Sequence, residues 1–377
     1  MYKKDHIPEL DGIRAIAVLL IMWIHLPVSF LGEGSVELRK LLLPGNLGMD
    51  LFFVLSGFLI TRILLVDREA PHALRDFLTR RFLRIFPTYY LLLAVLVPTM
   101  MWEEVVACAT YTTNYAFLFM HGSSYMSHAW SLAVEEQFYL IWSPLVILLT
   151  TRMSRNLIVY AAFPGAALTC LAAIVWGDWG AHGHALRELL MHGTTTRILA
   201  LGAGALLAYH EASVRSGGKR VAFLVTGLLA LAYLLSQSAL GSFGLMRPLI
   251  DAVPEGVQPR DVMIALRLFS VPAVALAVVA LAVGTTGQRT PWGFVLRAGI
   301  LRGIGRISYG LYLYHYPIFR KVRMLAEDPN APGHVAVALG IVLTFVVAIA
   351  SYYVIERPLM QWGKRFRAPV EAPTPAA

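Results

Sequence analysis

The chain has 377 residues, 57% of them hydrophobic and only 15% charged, with a mean hydropathy of +0.63, which is too apolar and too sparsely charged for a water-soluble domain. Two isolated cysteines, Cys108 and Cys170, offer neither a disulfide framework nor a zinc site, and no metal is expected. The net charge of +9 fits the cytoplasmic loops of a membrane protein better than a nucleic-acid surface, so no nucleic-acid partner is expected.

Apolar runs long enough to cross a bilayer, or nearly so, fall at about 13–31, 47–66, 85–101, 132–150, 157–176, 196–210, 221–239, 265–284, 304–320 and 334–355. They predict an all-α polytopic membrane protein of about ten transmembrane helices around a central cavity. The segment 103–121 begins Glu103-Glu104 and is rich in Thr, Tyr and Asn, so it reads as a lumenal or re-entrant helix. Lys3 and Lys4 precede the first run without a small-residue cleavage site, which marks a retained first span. Ten spans put both termini on one side. That side carries 22 of the 32 Lys and Arg residues, which assigns the termini to the cytoplasm and the 177–195 and 240–263 loops to the outside. Residues 1–360 read as one membrane domain, and 361–377, ending APVEAPTPAA, as a disordered cytoplasmic tail.

Ionisable residues within spans are costly and point to function. The first run, LDGIRAIAVLLIMWIHLPVSF, carries Arg14 and His25. Eleven residues at about 100° each bring both to one face, about 16–17 Å apart along the axis. Asp11 lies near that face at the cytoplasmic end. In GNLGMDLFFVLSGFLITRILL, Asp50 sits at a depth comparable to His25, either as a functional carboxylate or as one favoured at a helix start. Gly48, Ser56 and Gly57 suit close helix packing. RDFLTRRFLRIFPTYY carries Arg80, Arg81 and Arg84, three guanidinium groups within five residues, suited to bidentate phosphate binding.

HAWSLAVEEQFYLIW places Glu135 and Glu136 about a turn below the outer start of the fourth run. Each needs a partner, and since successive side chains diverge by about 100°, one is expected to face the cavity and the other a neighbouring helix. In IGRISYGLYLYHYPIF, Ser308, Tyr312 and His315 share one face, and His315 is a second candidate base.

Taken in order, GMDLFFVLSGFLI, RRFLRIFPTYY, WSLAVEEQFYLIW, ISYGLYLYHYPI and YYVIERP, together with Arg14 and His25, resemble the membrane-bound acyltransferase family 3, the bacterial carbohydrate O-acyltransferases. Met49 stands where that family usually has valine. The resemblance implies an acyl-CoA donor, usually acetyl-CoA, bound at the cytoplasmic face of a bacterial inner membrane. The acceptor it implies is a hydroxyl on an extracytoplasmic or lipid-linked carbohydrate. It makes His25 the catalytic histidine and Arg14 its paired basic residue, with Arg81 and Arg84 as the donor-linked motif. Many relatives append an extracytoplasmic esterase domain, for which these residues leave no room.

The expected mechanism has Arg14, Arg80, Arg81 and Arg84 holding CoA phosphates. His25 activates the acceptor hydroxyl or carries the acyl group itself. Glu135, Glu136 or Asp50 holds its tautomer, with Asp11, Ser308, Tyr312 and His315 in support. Acyl-CoA, a glycan acceptor and membrane lipids are the expected partners. Two alternatives stand beside this reading: a proton-coupled secondary transporter, and an acyltransferase with a small-molecule acceptor such as a macrolide.

Overall fold

A computed structural model describes residues 6–27, 47–116, 125–176, 181–240, 248, 259–326 and 333–366. Among them there is no strand. The helices, in chain order, are α1 (Pro8–His25), α2 (Leu47–Asp67), α3 (Ala73–Leu96), two short pieces α4 (Trp102–Ala109) and α5 (Thr113–Ala116), then α6 (Trp130–Leu148) and α7 (Thr151–Leu157). A π segment, Ile158–Ala162, joins α7 to α8 (Phe163–Trp176). There follow α9 (Ala181–His192), α10 (Thr194–Tyr209), α11 (Glu211–Arg215), α12 (Arg220–Leu240), α13 (Pro259–Gly284), α14 (Pro291–Leu296), α15 (Gly299–Arg306), α16 (Ser308–Ala326) and α17 (Gly333–Ser351). A second π segment, Tyr352–Glu356, leads to α18 (Arg357–Gly363). Each π segment lies just before a proline, Pro164 or Pro358, whose missing N–H interrupts the regular ladder.

Each of the ten apolar runs falls on helix, with three differences from the expected bounds. α3 starts at Ala73, twelve residues before the apolar run, because its arginine-rich first half continues the helix beyond the apolar part. The ninth run is broken at Ile307, between the strongly amphipathic α15 and α16. Residues 361–366, assigned to the tail, form the end of α18 and a 3₁₀ turn, and the Phe366 carbonyl accepts a hydrogen bond from Arg80 at 2.5 Å. The rest of the tail, residues 28–31 of the first run and most of the 240–263 loop lie outside the described residues. The expected re-entrant segment is the two short helices α4 and α5 as far as residue 116.

Among the described residues, five helical stretches can cross a membrane by length and composition: Leu47–Asp67, Ala73–Thr99, Thr151–Val175, Asp261–Gly284 and Gly333–Phe366. Exposed apolar side chains supply the lipid-facing surface. Val221, Val225, Leu228 and Leu229 form one stripe on α12, and Leu339, Val342, Leu343, Val346 and Ile349 form another on α17, at the spacing of one helix face. Such stripes are unfavourable in water and match a hydrocarbon solvent. α2 lies at the centre, packed on α1, α6, α10 and α13.

The α2–α10 contact depends on two glycines. A Cβ on Gly57 would fall on the Leu201 carbonyl oxygen, and one on Gly204 would fall on the Val54 carbonyl oxygen. The two backbones therefore meet through reciprocal small residues, the usual means of tight association in lipid. Gly57→Ala and Gly204→Ala are each expected to destabilise the bundle by about 1–3 kcal/mol through overpacking. Thermal unfolding of the detergent-solubilised variants measures this.

Ion pairs to buried carboxylates tie further helices together. Arg62 meets Glu211 at 2.8 Å, Arg297 meets Glu9 at 2.9 Å and Arg187 meets Asp261 at 3.2 Å.

Candidate active site

A cavity opens between α1, α2, α3, α6 and α16. Arg14, Arg81 and Arg84 line it toward one end of α1. Glu135, Ser56 and Tyr139 line its wall, Ser308 follows closely on Gly305, which packs on Asp11 near the arginine end, and Ser131 and Tyr312 lie at its far end. Arg81 is held by two aromatic faces, with its guanidinium carbon 5.4 Å from the Tyr139 ring centre and 5.6 Å from that of Phe77. Glu135 accepts hydrogen bonds on both carboxylate oxygens, from Tyr139 at 2.6 Å and from Ser56 at 2.9 Å. Three guanidinium groups and one carboxylate leave the cavity net positive, which suits an anionic ligand.

Beyond Tyr312 lies a cluster of histidines. The Tyr312 hydroxyl donates to the His128 carbonyl at 2.6 Å and lies 2.5 Å from the Ser131 hydroxyl. The His25 and His315 rings are 5.1 Å apart, and His128 stacks on Tyr316 at 5.0 Å.

The hydrogen bonds fix the tautomers, as inferred from their partners. His315 Nδ1 lies 2.6 Å from the Tyr312 carbonyl oxygen, which can only accept, so Nδ1 carries the proton of the neutral ring. His315 Nε2 is then an acceptor, and His25 Nδ1, 3.0 Å away, donates to it. His25 is thereby left with its lone pair on Nε2, the tautomer of a base or nucleophile. By the same reasoning His128 donates from Nε2 to the Leu313 carbonyl at 3.0 Å and keeps its lone pair on a buried Nδ1.

The structure brings most of the expected residues to this region. Arg14, Arg81, Arg84, Glu135, Ser308 and Tyr312 line the cavity, and His315 binds His25. Asp11 accepts from Arg14 at 3.2 Å. Other placements differ from expectation. Arg80 turns away to Asp67, at 3.3 Å, and to the Phe366 carbonyl. Asp50 lies 3.6 Å from Arg197, a buried pair between α2 and α10. Glu136 is buried on another face of α6 and does not line the cavity.

His25 Nδ1 meets His315 Nε2, while Glu135 and Asp50, the carboxylates expected to hold its tautomer, meet Tyr139 and Ser56 and Arg197 respectively. The shared face of α1 does run from the arginines to the histidines, but His25 lies past Tyr312 and is not among the cavity-lining residues. Sequence reasoning missed His128, Ser131 and Tyr139. The position of Tyr139, one helical turn after Glu135, was the signal available for it. Among the described residues no group of three His, Cys, Asp or Glu side chains could hold a metal ion.

An arginine-lined cavity with a hydrogen-bonded histidine pair beyond its far end therefore sits within an apolar helical bundle. The chain belongs to the acyltransferase-domain family, whose match spans residues 7–353. Among its relatives, the peptidoglycan O-acetyltransferase OatA of Listeria monocytogenes is 28% identical over 396 residues, 96% of this chain and 57% of the relative. The putative peptidoglycan O-acetyltransferase YrhL of Bacillus subtilis is 28% identical over 394 residues, 97% of this chain and 57% of the relative. The O-acetyltransferase OatA of Staphylococcus aureus is 28% identical over 389 residues, 96% and 58% of the two chains. The chain thus spans less than three-fifths of the length of these relatives. No solved structure matches it.

Proposed function

We propose that this chain is an integral membrane O-acyltransferase of the bacterial inner membrane. It takes an acyl group, acetyl above all, from acyl-CoA and esterifies a hydroxyl of an extracytoplasmic carbohydrate. The names of the relatives favour peptidoglycan as the acceptor. In this reading ten helices cross the membrane with both termini in the cytoplasm, and the arginine end of the cavity faces the compartment that holds CoA. The observation that carries the proposal is the cationic cavity with the His25–His315 pair beyond its far end.

Arg14, Arg81 and Arg84 bind donor phosphates through charge-assisted hydrogen bonds. The neutral pantetheine arm passes along the cavity between Ser56, Tyr139 and Tyr312. His25 Nε2 takes the proton of the acceptor hydroxyl as its oxygen attacks the thioester carbonyl. The carbon–sulfur bond breaks and the CoA thiolate leaves. The same nitrogen also serves a two-step route through an acyl-histidine. In either route His315 Nε2 accepts a hydrogen bond from the Nδ1–H of His25, which keeps that proton, and so holds the ring in the required tautomer.

Arg81→Ala and Arg84→Ala are each expected to weaken acyl-CoA binding by about 1.5–3 kcal/mol, the scale of a hydrogen bond to a charged group. Arg→Lys is expected to restore only part of that, because the bidentate geometry is lost. Equilibrium binding of acetyl-CoA to the purified variants tests this. Affinities equal to wild type in both alanine variants would remove the phosphate-site assignment.

A further inference from the structure

A second concavity adjoins the mouth of the cavity, shares Arg14 and Arg84 with it, and adds His6, Asp11, Arg302 and Arg306. The last two come from α15, which lies against α1 so closely that a Cβ on Gly305 would fall on the Asp11 carbonyl oxygen. Arg302 and Arg306 are one helical turn apart, so they present two guanidinium groups to the same space.

The pairing pattern sets these two arginines apart. Arg62, Arg80, Arg187, Arg197 and Arg297 each meet a carboxylate elsewhere in the bundle. Among the described residues Arg302 and Arg306 meet none. Their one hydrogen bond runs from Arg306 Nε to the Arg302 carbonyl at a long 3.4 Å. Arg302 Nε is buried with no hydrogen-bond partner. The one acidic residue lining the concavity, Asp11, is already engaged by Arg14 at 3.2 Å and His6 at 3.0 Å. A buried donor without an acceptor is costly, and a cluster of unpaired guanidinium groups is the usual receptor for phosphate.

We propose that Arg302 and Arg306 form an outer phosphate subsite that binds the 3′-phosphate of the donor's adenosine end. The inference rests on the acyl-CoA reading above. A CoA donor carries phosphate in two places, a diphosphate next to the pantetheine arm and a monophosphate on the ribose. The structure offers two sets of arginines in series, Arg81 and Arg84 inside and Arg302 and Arg306 outside, with Arg84 and Arg14 common to both spaces. The narrow arm enters the cavity while the wide nucleotide stays at the mouth, beside Tyr352 and Met360.

The test compares acetyl-CoA with 3′-dephospho-acetyl-CoA as donors, using the full chain in nanodiscs of zwitterionic lipid. Wild type is expected to bind acetyl-CoA roughly tenfold to a hundredfold more tightly, the range of a charged hydrogen bond. Arg302→Gln/Arg306→Gln is expected to bring that ratio to about one through weaker binding of acetyl-CoA, and the double lysine variant to keep part of it. Arg81→Ala is expected to weaken both donors and preserve the ratio.

Retention of the full ratio in the double glutamine variant would overturn the subsite. So would equal weakening of both donors in that variant. A ratio that depends on Arg302 and Arg306 only when anionic lipid is added would assign them to lipid headgroups and overturn it too. Wild type that binds both donors equally overturns the subsite alone. Wild type that binds neither overturns the acyl-CoA reading and the subsite with it.

Discussion

His25→Gln is expected to lower acyl transfer by about 10²–10⁴-fold, the contribution of a positioned general base, and by more if the histidine carries the acyl group. Donor affinity is expected to stay at the wild-type level, because the arginines proposed to bind the donor lie toward the opposite end of α1, about 16–17 Å away. Glutamine keeps the size of the side chain and can still donate to His315 Nε2, so a histidine that served only packing would tolerate the change. Loss of turnover with unchanged acetyl-CoA binding identifies His25 as the reacting group. Near wild-type turnover in the glutamine variant would reduce it to a packing residue and move the base to His315 or His128.

His315→Phe is expected to reduce kcat by about a hundredfold or more while leaving KM for the donor unchanged. The geometry gives the reason. His315 is fully buried, its Nδ1 proton points at the Tyr312 carbonyl, and its Nε2 accepts from His25. Phenylalanine fills the same space without an acceptor, so the His25 ring loses its preferred tautomer. In a hydrolase triad, a wrong tautomer alone reduces turnover by about four orders of magnitude. His315→Gln, whose amide oxygen can accept the same proton, is expected to recover part of the rate. Equal rates for the phenylalanine and glutamine variants, or a rise in KM as large as the fall in kcat, would show that His315 acts through packing alone.

The sequence made the helices legible because lipid imposes a simple rule, about twenty apolar residues per crossing. It did not reveal that α3 begins at Ala73, since the arginine-rich first half of that helix lacks the apolar signal. The relation between Glu135 and Glu136 was legible as an angle, one toward the cavity and one away. Which was which depended on Ser56 and Tyr139, and Ser56 is 79 residues away in sequence.

Arg80, Arg81 and Arg84 looked alike in a row. Asp67 and the Phe366 carbonyl draw the first away, and two aromatic faces hold the second in the cavity. Asp50 matched His25 in depth, but its partner is Arg197 on α10. The His25–His315 bond joins residues 290 apart, and no local pattern could announce it.

The most direct test of the central claim uses the protein in sealed proteoliposomes, with acetyl-CoA labelled in the acetyl group on the arginine side and peptidoglycan fragments on the other. The account predicts that wild type releases CoA and places the label on the fragments as a base-labile ester, and that His25→Gln does neither. Absence of labelled ester in wild type, or equal labelling by the His25→Gln variant, would contradict it.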